Sequence, residues 1–250
     1  MPIKYSNFLR VLRRHFEIRP LRDHARVSSR GVCLLRHDLD KNMDRALLMA
    51  QIEYSLDIQS TYFVLHTAKY YRSETFIRNC REVQDLGHEV GLHNNILTVA
   101  MKTKHRPRTI LERELQYLRK NGVKIFGTAA HGDRACREFA YVNYEIFRDC
   151  TPPYREERQE FRGIKLHSLR LDSYGLYEAY FLPRDHYITD GSGIWRCLRG
   201  TDDEWHPDFV KHALRPTNVL RFLKKLSRNK GILQLLIHAH RKSVNIRYKR

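Results

Sequence analysis

Short apolar runs and amphipathic stretches alternate along most of the chain. Val32 to Leu35 is an apolar run of strand length, and it ends at Arg36-His37-Asp38-Leu39-Asp40. Met43 to Leu56 follows with Leu47, Met49, Ala50 and Ile52 in helical spacing. Ser60 to Leu65 is rich in aromatic and β-branched residues and reads as a second strand. Ser73 reads as the N-cap of a helix whose stripe is Phe76, Ile77, Cys80, Val83 and Leu86, closed by Gly87. Glu89 to Leu92 is a third strand, running into His93-Asn94-Asn95.

The alternation continues with a helix from Thr109, its cap, to Lys120, and a strand from Ile125 to Ala130 that meets His131-Gly132-Asp133. Arg155 to Trp205 is less regular, with strands expected near Ile164–Leu169 and His186–Thr189. Asp190 follows the latter, and Gly191-Ser192-Gly193 reads as a turn because no helix opens there and no Lys follows. Thr217 caps a last helix, and Ile232 to Ile237 is a final strand ending in His238-Ala239-His240.

Strands alternating with helices predict βαβ units, a largely parallel sheet and an α/β fold. No repeat or linker interrupts the pattern, so one barrel-like domain over residues 1–250 is expected. Active sites of such folds form at the carboxyl ends of the strands. Five of the expected strands end beside an ionisable or metal-capable residue: Asp38 and Asp40, His93, His131, Asp190 and His238. Asp38 and Asp40, two apart in extended chain, share a face that His37 and Leu39 do not. Carboxylates so close repel unless a cation or proton lies between them. They read either as a metal ligand beside a general base, or as a helix cap beside a partner of Arg36 or Lys41. An Asp with His93 and His131 suits a divalent metal, zinc first, and leaves a position for water. His238 and His240 share a face by the same two-residue period, and His238 is the candidate general acid.

Composition narrows the picture. With 42% hydrophobic and 30% charged residues the chain is globular. No apolar stretch is long enough to span a bilayer. The N-terminal segment pairs Phe8, Leu9, Leu12 and Phe16 with Arg10, Arg13 and Arg14, which is no signal peptide, so a cytoplasmic protein is expected. Cys33, Cys80, Cys136, Cys150 and Cys197 are odd in number and never in CxxC spacing, which argues against a disulfide framework and against a cysteine zinc site. A net charge of +18 favours anionic partners: phosphate-bearing substrates, anionic lipid at a peripheral contact, or nucleic acid. No nucleic-acid-binding signature accompanies it, so nucleic acid is the minor reading.

Five segments together resemble the polysaccharide deacetylase family, in the form found in surface-polysaccharide and O-antigen biosynthesis. They are Leu35-Arg36-His37-Asp38-Leu39-Asp40, Thr61-Tyr62-Phe63, Gly87-His88-Glu89-Val90-Gly91-Leu92-His93, Tyr187-Ile188-Thr189-Asp190 with Trp195, and Leu236-Ile237-His238. The resemblance implies a distorted or incomplete (β/α) barrel, a divalent metal, usually zinc, and removal of N-acetyl groups from an amino sugar. It matches Asp38 to the catalytic base, Asp40 and His93 to metal ligands, and His238 to the general acid. Asp190 and Trp195 match the pair that orients catalytic groups. Trp195, Asn94 and His240 are candidate substrate contacts. Two positions depart from the family pattern. Leu97 stands where a second metal histidine is usual, and Ala130-His131-Gly132-Asp133 replaces Arg-Pro-Tyr, so His131 is expected to supply the third ligand. The competing expectations are a sugar-binding member of the fold without turnover, and an amide hydrolase for a small non-sugar substrate.

Overall fold

Ten strands form one sheet in the computed structural model, which describes residues 3–150, 158–191, 195–199, 211–214 and 216–246. In chain order they are β1 (Glu17–Arg19), β2 (Val32–Leu39), β3 (Thr61–Leu65), β4 (Glu89–Asn94) and β5 (Ile125–Ala130), then β6 (Tyr177–Glu178), β7 (His186–Thr189), β8 (Trp195–Arg199), β9 (Lys211–Leu214) and β10 (Ile232–Leu236). Their spatial order is β9-β8-β7-β10-β2-β3-β4-β5-β6, with β1 beside the start of β2. From β7 to β6 every pairing is parallel, and β8 and β9 add an antiparallel edge. The longer helices around it are α1 (Tyr5–His15), α2 (Met43–Tyr54), α3 (Phe76–Asp85), α4 (Ile96–Thr103), α5 (Pro107–Lys120) and α6 (Pro216–Leu226). None among the described residues is long and apolar enough to cross a membrane.

The sheet is curled. β10 and β6 are five strand spacings apart, about 24 Å in a flat sheet. Yet the Gln234 side chain on β10 donates to the carbonyl of Ala179, the residue after β6, at 2.9 Å. The Arg36 guanidinium on β2 likewise lies 4.5 Å from the ring centre of Tyr180. The two sides therefore face each other across an interior, as an incomplete (β/α) barrel requires.

Period-two alternation divides the side chains between two layers. Val32, Leu34, Phe63 and Ala129 face inward and form a small interior cluster with Leu21, Ala179 and Leu182. Cys33, Leu35, Leu39, Tyr62, Val64, Val90, Leu92, Leu233, Leu235 and Ile237 face outward against the helices in the larger core. Further along the inward face of β2 come Arg36 and Asp38, so the interior changes from apolar to charged towards the carboxyl ends.

Several boundaries differ from those the sequence suggests. β2 continues to Leu39, because both of its faces are covered and the charged residues stay in the ladder. The helix expected from Ser73 starts at Phe76 after turns. α5 starts at Pro107, whose ring presets the helical φ, so Thr109 lies inside its first turn rather than at the cap. α4 was not expected, since its apolar residues follow β4 with hardly a break. Only Ile164–Lys165 of the Ile164–Leu169 run is strand, with an isolated bridge between Phe147 and Leu169. α6 starts at Pro216, so Thr217 lies inside its first turn rather than at the cap, and the Ser192-Gly193 part of the glycine turn lies outside the described residues. All five cysteines are buried.

Gly91 marks a close approach inside the barrel. A Cβ there would lie 2.4 Å from Cε1 of Phe63 and 2.9 Å from the Gly127 carbonyl oxygen. Gly91→Ala is therefore expected to destabilise the fold by about 1–3 kcal/mol through overpacking. Urea unfolding measures this, and an unchanged midpoint would contradict the tight contact between β3 and β4.

Candidate metal centre

The parallel register brings distant residues to one rim. His93 pairs in register with Ala129, and Asn94 with Ala130, so His131, the next residue of the β5 chain, emerges beside His93. Asp40 arrives two residues beyond Asp38 on the inward face of β2. The resulting triangle has His93 Nε2 3.3 Å from Asp40 Oδ1, His131 Nδ1 3.4 Å from the same oxygen, and the two nitrogens 3.1 Å apart. Ligand atoms around a tetrahedral zinc ion, with bonds of about 2.0–2.1 Å, lie about 3.3 Å apart. The three separations fit one face of such a tetrahedron.

The donor chemistry fits as well. His93 donates from Nδ1 to the Ala129 carbonyl at 2.8 Å, which leaves the Nε2 lone pair facing Asp40. Oδ1 of Asp40 is buried and has no hydrogen-bond partner in the protein, although both imidazoles surround it. Burial would raise the Asp40 carboxyl, but the adjacent His131 and His93 outweigh that and hold it well below the usual carboxylate range.

Backbone contacts fix the two histidines. The His131 N–H donates to the Asn94 carbonyl at 2.8 Å, and the His131 carbonyl accepts from the Asn143 amide at 2.8 Å. Asn94 itself is fully buried. Its amide donates to the Asn143 carbonyl at 3.0 Å and its oxygen accepts from the Ile96 N–H at 2.9 Å, closing the turn into α4. Leu97 is fully buried in the outer core, so the helix after β4 spends that position on packing. The third candidate ligand, His131, comes instead from the end of the neighbouring strand.

Two polar groups flank the triangle. Asp38 Oδ2 accepts from the Arg36 guanidinium at 3.0 Å and lies 3.7 Å from His93 Nε2, while its Oδ1 has no partner. Burial pushes the Asp38 carboxyl up, but Arg36, then His93 and His238, more than compensate and keep it below its ordinary value. The Arg36 alternative raised by the sequence is thus real and coexists with the site. The cap of α2 falls to Asn42, whose side chain accepts from the Arg45 N–H. On the other flank, Asp190 Oδ1 accepts from His238 Nδ1 at 2.7 Å and from the His238 N–H at 3.0 Å, and Ser243 donates to Oδ2. His240 Nε2 lies 4.0 Å from Asp40 Oδ2. The rim stays open: the side chains of His131, Asp40 and His240 keep 15–20% of their surface exposed.

Two expected substrate contacts lie elsewhere. Trp195 is 2% exposed and stacks on Phe8 of α1 with centroids 5.7 Å apart, because β8, between β7 and β9, turns it into the helix layer. Asn94 positions backbone, as above, and offers no free polar atom to the rim. Residues that the sequence did not single out also build the site. Asn143 sits in an irregular segment with no distinguishing pattern. His66 Nε2 accepts from the Asn95 N–H at 3.0 Å and steadies the turn after β4.

No family profile matches the chain, and no curated protein matches it. Among solved structures it is similar to a mutant of the peptidoglycan deacetylase PdaC from Bacillus subtilis. The identity is 15% over 87% of this chain and 79% of that one, with a TM-score of 0.36.

Glu178, at the end of β6, is 1% exposed, and its Oε1 accepts from the Ala130 N–H at 2.9 Å beside His131. Burial pushes its carboxyl up to about 8 against the pull of that N–H and of Arg36. The folded state then keeps a proton that the unfolded chain releases near about pH 4.3. Stability from this group is therefore full below that pH and is lost as pH rises to about 8. Glu178→Gln preserves the acceptor and removes the titration, so its melting temperature should fall less than the wild type's between about pH 5 and pH 8. Parallel melting curves for the two proteins would refute the assignment.

Proposed function

We propose that the protein is a metal-dependent hydrolase that removes N-acetyl groups from an amino sugar in surface-polysaccharide biosynthesis. The observation that carries this reading is the triangle of Asp40, His93 and His131, with a carboxylate on one flank and an Asp-held histidine on the other. Zinc or a similar divalent ion held there would supply Lewis acidity to an amide carbonyl and acidify a water. Asp38, kept ionised by Arg36, takes the proton from the attacking water. His238 has its Nδ1 committed to Asp190, so Nε2 is the atom that delivers a proton to the departing amine. Asp190 orients that ring, and Arg36 holds the base. The products are acetate and a free amino sugar.

The substrate class follows from charge. A chain with 46 basic and 28 acidic residues attracts an anionic donor, and a phosphate-bearing, lipid- or nucleotide-linked sugar meets that condition. A cytoplasmic site of action belongs to the same reading.

Metal content tests it first. Wild-type protein is expected to hold one zinc per chain after equilibration and dialysis. His131→Ala and Asp40→Asn should each lose at least about tenfold in zinc affinity, measured by competition with a chromogenic chelator. Full affinity in His131→Ala would remove this residue from the ligand set. Turnover tests the rest. Asp38→Asn and His238→Ala should retain zinc while acetate release from N-acetylated amino sugars falls about 10²–10⁴-fold. Ammonia release from small amides without acetate release would favour the non-sugar substrate, and glycan binding without metal would favour a binding protein.

A further inference from the structure

A second set of ionisable groups lies behind β2, on its outward face, and the chemistry above does not use it. Glu53, near the end of α2, is fully buried, and a buried carboxylate is costly unless hydrogen bonds replace its water. Here the replacement is complete. Its Oε1 accepts from the Tyr5 hydroxyl and from His37 Nε2 at 2.8 Å. Its Oε2 accepts from Ser60 at 2.5 Å and Tyr62 at 2.9 Å, with His88 Nδ1 3.5 Å away. Burial pushes the Glu53 carboxyl up, but His37, His88 and Ser60 hold it down at about 2.

His37 carries this group to the rim. Its second nitrogen, Nδ1, lies 2.9 Å from the carbonyl oxygen of Ile237. A carbonyl and a carboxylate both only accept, so each ring nitrogen donates. The Ile237 carbonyl belongs to the peptide that leads into His238, just past the last β10 residue that pairs with β2. The other edge of that peptide, the His238 N–H, donates to Asp190. One peptide unit is therefore gripped from the helix side through His37 and from the rim side by Asp190.

We infer that Glu53 and His37 are positioning residues that fix the Ile237–His238 peptide and thereby aim the His238 ring at the rim. The inference rests on the reading of His238 as proton donor, but its structural half stands without turnover. Neither residue touches the candidate ligand atoms. Their effect passes through a backbone carbonyl, in the way that outer partners orient a working imidazole.

Glu53→Gln tests this, because it keeps shape and one acceptor while removing the charge. Amide exchange over residues 236–241 should rise about tenfold or more, and more than elsewhere in the sheet. In an active enzyme kcat should fall at least about tenfold with KM and zinc content unchanged, and no further loss should appear on a His238→Ala background. Tyr62→Phe is the control. It removes one hydrogen bond from Glu53 and leaves the His37 link intact, so it should lower the melting temperature without local exchange at 236–241. A ¹⁵N histidine spectrum of the wild type should show both His37 nitrogens protonated. Exchange in Glu53→Gln that is unchanged, or raised uniformly as in a general loss of stability, overturns the proposal, as does an unprotonated His37 nitrogen. If the wild type proves inactive, the exchange and spectroscopic results still decide the clamp, and only the functional reading fails.

Discussion

Asp38, in β2, and Asp40, just past its end, project from one face into a largely buried interior, and most of the surrounding structure holds these two negative charges in place. Such a pair survives burial only where cations or donors meet it. Arg36 meets Asp38 from two residues earlier on the same face, and His93 and His131 meet Asp40 from the next strands but one and two. The curl of the sheet brings these groups close enough, and the small apolar cluster beneath them keeps the interior closed from below. Arg36 is itself cradled by aromatic faces, with Tyr180 at 4.5 Å and Phe63 and Tyr187 a little further.

The two faces of β2 divide the work. Inward residues carry the candidate chemistry, and outward residues anchor the strand to the helix layer. His37 belongs to the outward set by parity, yet its contact with the Ile237 carbonyl reaches the base of the rim. A strand that is polar on both faces is expensive. The cost is met here by near-complete hydrogen bonding around Glu53 on one side and by the Arg36–Asp38 pair on the other. Both arrangements leave the backbone of β2 little freedom, which suits a candidate site whose donor atoms must hold their spacing to within a few tenths of an ångström.

Much of this was legible before any coordinates. The alternation of strand and helix patterns implied a parallel sheet. The polar residues that close the apolar runs marked the rim, and the two-residue spacing of Asp38 with Asp40 and of His238 with His240 placed each pair on one face. His131 was identifiable because it follows a strand and because Leu97 cannot bind a metal. Other features gave no local signal. Asn143 lies in a segment without periodicity, and α4 follows β4 too closely for its start to be read. Trp195 resembles a site residue in sequence but stacks on Phe8, a contact across 187 positions that only packing creates.

The amino-acid sequence by itself determined which side chains could do chemistry, which of them share a face, and at which end of the sheet they emerge, because those properties follow from residue type and the pleat of a strand. The tertiary structure alone decided which of them meet. Strand register sets His131 beside His93, and sheet curvature brings β10 opposite β6. The helix layer joins Glu53 to His37 and so to His238. Register, curvature and layer packing arise from many weak contacts between segments far apart in the chain, and no short stretch of sequence encodes their sum.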